Sequence, residues 1–142
     1  MMKRLLLTAL ASTLAVSLSY ADQTNAKVVI PITKTTPVNG KAMYVNYCAP
    51  CHGVDGMGAG PVASALKASP TNLTVLSRNN HGKFPDSHIV TVLNNGADVK
   101  SHGSVEMPVW GPILGKMNVS NSQDRMLRIS NLSRYLDSMQ VK

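Results

Sequence analysis

The sequence contains few cysteines, few aromatic residues and few acidic residues. Its two cysteines among 142 residues exclude a framework of several disulfides. Aromatic residues make up only 4% of the chain, so large aromatic side chains can supply little of a core. The 7 acidic residues are outnumbered by 14 lysines and arginines, which gives a formal net charge of +7.

The excess of positive charge is spread along the chain. No stretch of the sequence interleaves basic residues with aromatic ones, which makes nucleic acid a poor partner. An acidic protein or an anionic membrane surface fits better, because complementary charge steers encounter. Solubility alone explains the same charge equally well. The chain has no internal repeats, and its length allows one domain.

Long hydrophobic runs are absent except at the N-terminus. Lys3 and Arg4 precede the apolar run Leu5–Leu18, and Ser19–Ala21 offers small residues for cleavage. This pattern predicts a signal peptide over residues 1–21 and a periplasmic location. An uncleaved anchor is the alternative, but the run is short for a bilayer span of about 20 residues.

Residues 22–39 read as an extended N-terminal arm. The stretch Val28–Ile32 is apolar and β-prone, but Pro31 excludes a central strand. Thr35-Thr36-Pro37 continues the extended character. The arm either lies on the surface of the domain or tethers it to another protein.

Helical periodicity dominates residues 40–142. Helices are predicted over about 40–47 with Asn39 as N-cap, over 86–95 between a capping Asp86 and Gly96, and over about 122–139, with a helical turn over 62–67. No alternating strand pattern is present. We therefore expect a small all-α domain of three or more helices with long loops.

The last predicted helix has an apolar side and a basic side. One side carries the residues expected to face the core: Met126, Ile129, Leu132, Leu136 and Met139. Arg125, Arg128 and Arg134 lie largely off that line. We expect these arginines to face solvent.

The most informative stretch is Cys48-Ala49-Pro50-Cys51-His52. It has the form C-x-x-C-H, the attachment signature of a c-type haem. Each thiol can add across one vinyl group of the porphyrin, and His52 can bind the iron from one face. The sequence thus predicts one covalent haem c per chain, held by Cys48 and Cys51, with His52 as an axial ligand.

Other readings of this motif have weaker support. A thioredoxin-like redox pair would lie near a βαβ pattern, which is missing. A zinc site needs a second pair of ligands, and His81, His88 and His102 are not spaced to supply one. A structural disulfide in an exported protein is the main alternative.

Met107 is the best candidate for the second axial ligand of the iron. It lies in the loop Ser104–Pro112, where Pro108 restricts Met107 to extended conformations. A Met/His pair raises the reduction potential relative to a pair of histidines. Met117, His81 and His102 remain alternatives at this stage.

The sequence predicts that one further segment and one further residue lie near the haem. The glycine-rich stretch 53–61 lacks the strand and the Lys-Ser/Thr ending of a phosphate loop. We expect it to wrap closely around the haem, since glycines permit close approach. Trp110 carries a donor that needs a partner when buried, and a haem propionate is one candidate.

The chain resembles the mono-haem, His/Met-ligated cytochromes c of bacteria. The resemblance covers Gly40 to Met139 and rests on three motifs: Gly40-x-x-x-Tyr44-x-x-x-Cys48-x-x-Cys51-His52, Met107-Pro108 followed by Trp110-Gly111, and Leu132-x-x-Tyr135-Leu136. It implies a cytochrome c domain over residues 40–142. It also implies a contact between Gly40 and Tyr135, and a hydrogen bond from the imidazole of His52 to the carbonyl of Pro61.

The resemblance implies one-electron transfer. The chain would be a periplasmic carrier, or the cytochrome subunit of a respiratory or dehydrogenase complex, and not itself an enzyme. Its partners would be redox proteins, including acidic or membrane-bound ones, and no small-molecule substrate is expected. The alternatives are a ligand-binding or catalytic haem module with an open or exchangeable sixth position, and an exported binding module without haem.

Overall fold

The computed structural model describes residues 31–96, 107–117 and 122–141. Its α-helices are α1 (Gly40–Met43), α2 (Ala49–His52), α3 (Leu76–Asn79), α4 (Asp86–Asn95), α5 (Trp110–Lys116) and α6 (Ser122–Ser138). A π-helical turn (Tyr44–Cys48) joins α1 to α2, and 3-10 turns span Ala63–Ala65 and Leu73–Val75. No strand occurs in the described ranges, and the expected all-α class is confirmed.

Three predictions concern segments outside these ranges. The signal peptide over residues 1–21, the first part of the arm (22–30) and His102 all lie outside the described residues. Among the residues that are described, no helix has the length and apolar character needed to cross a membrane.

The first helix is longer than the sequence predicted. Its start is as expected, because the side chain of Asn39 accepts a hydrogen bond from the backbone N–H of Ala42 at 2.8 Å. Helical structure then continues through the π-helical turn to His52. Cys48, Cys51 and His52 therefore all lie on one unbroken helical segment, which fixes their relative positions.

Helix α1 crosses helix α6 at Gly40. A Cβ atom at this position would clash with the backbone carbonyl of Asn131 and would lie 3.0 Å from the Cβ of Tyr135. The ring of Tyr135 also packs against that of Tyr44, with centroids 5.3 Å apart. The predicted contact between Gly40 and Tyr135 is confirmed, and only glycine permits it.

Helices α4, α5 and α6 pack against one another and close the core. Helix α5 is a feature that the sequence did not predict, because Gly111, Pro112 and Gly115 within seven residues are typical of a loop. Pro112 lies in the first turn, where its missing N–H leaves no hydrogen bond unmade. Gly111 meets the backbone of Asn94 at the crossing with α4.

The two sides of helix α6 differ from the prediction at two positions. Arg128, expected to face solvent, is only 3% exposed. Its guanidinium forms an ion pair with Asp124 at 2.8 Å and donates to the carbonyl of Thr35 at 2.8 Å. Met126, expected in the core, is 45% exposed. Arg128 is buried because the arm covers it and satisfies its donors.

The described part of the arm lies on the domain. Besides its contact with Arg128, the arm accepts two further hydrogen bonds. The hydroxyl of Tyr47 donates to the carbonyl of Thr33, and the side-chain amide of Asn131 donates to the carbonyl of Pro37 at 3.1 Å. Between the two alternatives left open by the sequence, residues 31–39 support packing on the surface.

The start of helix α4 also differs from the prediction. Pro85, not Asp86, occupies the capping position, and Asp86 is the first residue of the helix. The carboxylate of Asp86 instead accepts a hydrogen bond at 2.7 Å from the buried hydroxyl of Ser133. This bond ties the first turn of α4 to the middle of α6. The predicted closing glycine, Gly96, is at the C-cap as expected.

Candidate haem-binding site

One apolar cleft brings most of the predicted site residues together. It contains about 950 Å³ of space not occupied by protein atoms, counting the part that opens to solvent. Cys48, Cys51, His52, Met107 and Trp110 all line it. The remaining walls come from the segment 66–76, helix α4 and Leu136.

The two cysteines lie at the end of the first helical segment and are not joined by a disulfide. Cys48 is buried and Cys51 is partly exposed. Burial raises the pKa of the Cys48 thiol to about 12, and the neighbouring Cys51 contributes to the rise. This direction is opposite to that of the activated thiol in a thioredoxin-like pair, whose pKa is lowered. The environment therefore disfavours that alternative.

The imidazole of His52 is oriented by a backbone carbonyl. Its Nδ1 lies 2.9 Å from the carbonyl oxygen of Thr71. Because a carbonyl can only accept, Nδ1 must carry the hydrogen, and in the neutral ring the lone pair is then on Nε2. This is the tautomer that can bind a metal through Nε2, with the carbonyl bond holding the ring in place.

The acceptor predicted from the resemblance was Pro61, and this was wrong. Residues 60 and 62 are hydrogen-bonded to the backbone of the motif: Gly60 N–H donates to Cys51 at 2.9 Å, and Val62 N–H donates to Pro50 at 3.0 Å. These bonds keep the segment against the backbone of α2. Pro61 is exposed and does not line the cleft.

Thr71 was missed because its role depends on the path of a loop. Pro70 precedes it, and the side chain of Asn72 accepts from the N–H of Thr74 at 2.9 Å to begin the 3-10 turn Leu73–Val75. A proline followed two residues later by an Asn cap marks a defined turn. This turn signal is present in the sequence, but it does not reveal that the carbonyl of Thr71 contacts the imidazole of His52.

The glycine-rich stretch 53–61 contacts the site residues through backbone hydrogen bonds. None of its residues lines the cleft, in contrast to the expectation that it wraps around the haem. The N–H of Gly58 donates to the carbonyl of His52, and the N–H of Leu73 donates to the carbonyl of Gly56, both at 2.7 Å. The stretch thus joins the histidine to the segment that orients it.

Tyr44 donates a further hydrogen bond to the same glycine-rich stretch. Its buried hydroxyl donates to the carbonyl of Gly53 at 2.6 Å. Burial raises the pKa of Tyr44 above its usual range, and Cys48, Tyr135 and Asp55 act in the same direction. The hydroxyl is therefore protonated at every physiological pH and remains a donor.

Met107 lines the same cleft as His52 and is partly buried. It lies three residues before the start of helix α5, followed by Pro108 and the extended Val109. The first turn of the helix thus anchors the segment that carries the thioether. The position of Met107 is compatible with a second axial ligand.

The alternative ligands within the described residues lie elsewhere. The sulfur of Met117 is 3.3 Å from the hydroxyl of Tyr47 and 3.8 Å from the guanidinium of Arg128, and Met117 does not line the cleft. His81 is exposed in the turn before α4 and does not line it either. Neither residue is placed to share the cleft with His52.

Trp110 and Tyr47 form one aromatic wall of the cleft. Both side chains are buried, and their rings stack with centroids 5.6 Å apart and planes at 29°. The hydroxyl of Tyr47 is also 2.8 Å from the hydroxyl of Thr35, so the arm braces this wall from outside. The predicted bond from Trp110 to a haem propionate stays a prediction.

The residues present fit a covalent c-type haem. The cleft is apolar, as a porphyrin requires, and two thiols and an imidazole of the right tautomer occupy one part of its lining. A thioether from a separate loop lines the same space. The donor set of two sulfurs for attachment, one nitrogen and one soft sulfur is suited to a low-spin haem iron.

The match to a protein family agrees with the geometry of the site. The family profile described as Cytochrome c matches residues 37–124. A comparison with curated proteins finds no match. Among solved structures, the chain is similar to part of the Kuenenia stuttgartiensis reducing HAO-like protein complex Kustc0457/Kustc0458, with 24% sequence identity and a TM-score of 0.44. That alignment covers 80% of this chain and 46% of the other.

Proposed function

The chain belongs to the cytochrome c family and carries covalently bound haem c, and we propose that it transfers single electrons in the periplasm with His52 and Met107 as axial ligands. The observation that carries the proposal is the single apolar cleft lined by Cys48, Cys51, His52 and Met107. When bound there, the haem iron supplies a one-electron couple between its ferric and ferrous states.

Cys48 and Cys51 hold the group. Each thiol would hold the haem through one thioether bond, the product of adding S–H across a vinyl group. Because both cysteines are on one helical segment with His52, attachment also brings the imidazole to the iron. The carbonyl of Thr71, 2.9 Å from Nδ1, keeps the ring oriented.

Met107 supplies the second axial ligand. A thioether is neutral and soft, so it favours the ferrous state and raises the reduction potential relative to a second histidine. Pro108 limits the conformations of the preceding residue, which reduces the entropy lost when the sulfur is held. With both axial positions filled by the chain, no position is open to a substrate, and a carrier is favoured over a catalyst.

The partners are redox proteins. Outside the signal peptide, lysines and arginines still outnumber acidic residues, which favours acidic or membrane-bound partners because complementary charge raises association rates. The chain acts as a free periplasmic carrier or as the cytochrome subunit of a respiratory or dehydrogenase complex. Export by the signal peptide over residues 1–21 accounts for the location.

Met107→Ala tests the ligand set, with Met117→Ala as the matched control. We expect the ferric wild type to show the far-red sulfur-to-iron absorption band, Met107→Ala to lose it completely, and Met117→Ala to keep it. We also expect carbon monoxide to bind the reduced Met107→Ala protein at neutral pH and to leave the reduced wild type unchanged. Absorption spectra of the haem-loaded proteins in both oxidation states measure both effects.

Three outcomes would overturn the proposal in different ways. A high-spin ferric wild type that binds carbon monoxide readily would favour the ligand-binding or catalytic module. A wild type made in a haem-attaching host that contains no haem c by the pyridine-haem assay would favour an exported binding module without haem. Loss of the band in Met117→Ala but not in Met107→Ala would move the sixth ligand to Met117.

A further inference from the structure

The segment that orients His52 is held from a distant part of the chain. Thr71 accepts from the imidazole, and two residues later Leu73 lines the cleft. On one side, the N–H of Leu73 donates to Gly56 at 2.7 Å. On the other side, the carbonyl of Leu73 accepts a hydrogen bond at 2.8 Å from the side chain of Gln140.

Gln140 uses both ends of its amide. The nitrogen Nε2 donates to the carbonyl of Leu73 and, at 2.7 Å, to the carbonyl of Leu136 in the last turn of α6. The oxygen Oε1 accepts at 2.9 Å from the N–H of Ser77. Gln140 therefore joins the end of α6 to the segment 73–77 at two points.

The backbone next to Gln140 adds a third connection. The N–H of Val141 donates to the carbonyl of Thr74 at 2.9 Å. Residues 140 and 141 thus clamp the segment 73–77, and we call them the C-terminal clamp. The N–H of Leu73 is also hydrogen-bonded to Gly56. The clamp and this bond together limit the movement of the chain that carries the Thr71 carbonyl.

We propose that Gln140 is a positioning residue for His52 and thereby helps to set the reduction potential of the haem. This inference rests on the proposed ligation of the iron by His52. A hydrogen bond from Nδ1 to a carbonyl makes the imidazole a stronger electron donor to the metal. A stronger donor stabilises the ferric state, so a firmly held Thr71 carbonyl lowers the reduction potential.

Removal of the clamp weakens that bond. The carbonyl of Thr71 then samples positions away from Nδ1, the imidazole donates less electron density, and the potential rises. A residue with a merely structural role would lower stability without this shift. The direction of the change in potential therefore separates positioning from packing.

The test compares Gln140→Leu with Asn131→Leu in the haem-loaded protein. Asn131 is a close match, because its amide donates to the carbonyl of Leu127 four residues earlier and to Pro37 in the arm. Gln140 makes the same i−4 bond, but its second partner is in the segment of the histidine. Leucine keeps the volume of each side chain and removes its hydrogen bonds.

We expect Gln140→Leu to raise the midpoint potential and Asn131→Leu to leave it unchanged. We expect exchange of the His52 ring N–H with solvent, followed by NMR in the diamagnetic ferrous state, to become roughly tenfold faster in Gln140→Leu alone. Loss of the bonds from Gln140 to the segment 73–77 should raise the equilibrium constant for local opening by about that factor, which corresponds to the net contribution of about one hydrogen bond. An accompanying increase in exchange at the Ser77 amide would locate the loosening.

An unchanged potential and ring N–H exchange in Gln140→Leu would overturn the inference and leave the proposed function intact. Equal shifts in the two variants would also overturn it, because they would report a general loosening of α6. Failure of the proposed function would instead be seen in the wild-type spectrum, before either variant is compared.

Discussion

Replacement of both Cys48 and Cys51 by alanine is expected to leave the chain largely unfolded. The cleft that the cysteines line is walled by apolar side chains from helix α4, the segment 66–76 and α6. A haem in this cleft buries about 500 Å² of apolar surface, which at roughly 25 cal/mol per Å² is on the order of 10 kcal/mol. A whole domain is stable by about 5–15 kcal/mol, so the protein without haem retains little stability.

Far-UV circular dichroism and thermal melting of the mature protein would measure this effect. Cys51→Ala is the control, because Cys48 can still form one thioether bond and retain the haem. We expect the single variant to melt cooperatively at a lowered temperature and the double variant to show no cooperative transition. A native-like cooperative melt of the double variant without haem would contradict the prediction.

Gly111→Ala is expected to lower the free energy of unfolding by about 3 kcal/mol. A Cβ at this position would lie 2.9 Å from the carbonyl carbon and 3.0 Å from the Cα of Asn94, and closer still to its carbonyl oxygen. All three are backbone atoms of helix α4, which cannot move aside as a side chain can. Separation of α4 from α5 would also displace Trp110 and the segment that carries Met107.

Gly115→Ala is the matched control on the same helix. Its Cβ would lie 3.5 Å from the nearest atom, the Cδ of Arg125, which is an ordinary contact. Since alanine is the better helix former, this variant should gain about 0.5–1 kcal/mol. Denaturant unfolding of the three haem-loaded proteins measures both changes. Equal stability of Gly111→Ala and the wild type would show that α4 and α5 can move apart without cost.

The parts of the site that are adjacent in sequence could be predicted. Cys48, Cys51 and His52 have roles that follow from spacing within five residues, because each thiol and the imidazole act on one group at a fixed separation. Asn39 caps the first helix by a bond that spans three residues. The contact between Gly40 and Tyr135 was predictable for a different reason, since it came with the family resemblance and not from local pattern.

The partners of these residues could not be predicted in the same way. The bond from His52 to Thr71 spans 19 residues, the bond from Gln140 to Leu73 spans 67, and the bond from Arg128 to Thr35 spans 93. Any backbone carbonyl is chemically able to accept such a bond. Which one does depends on the path of the loops, and for this reason Pro61 was a reasonable expectation and a wrong one.

Burial along helix α6 could likewise be predicted only in part from the sequence. Periodicity correctly placed Ile129, Leu132 and Leu136 in the core, because these positions repeat with the turn of the helix. It misplaced Arg128, whose charge is satisfied by Asp124 one turn away and by the arm. A pattern of side-chain types cannot show that a segment from the other end of the chain covers one position.

By itself, the sequence determined the family and the cofactor of this protein through two thiols and an imidazole spaced for one covalent haem, and it predicted an all-α framework and a candidate thioether ligand, Met107, next to a proline. Those features depend on residue types and short spacings. Only the tertiary structure decided that Thr71 orients His52, that Gln140 holds the segment of Thr71, and that the arm braces Tyr47 and Arg128. In each of these contacts the acceptor is a backbone carbonyl, which every residue has, so the path of the chain and not residue identity selects it.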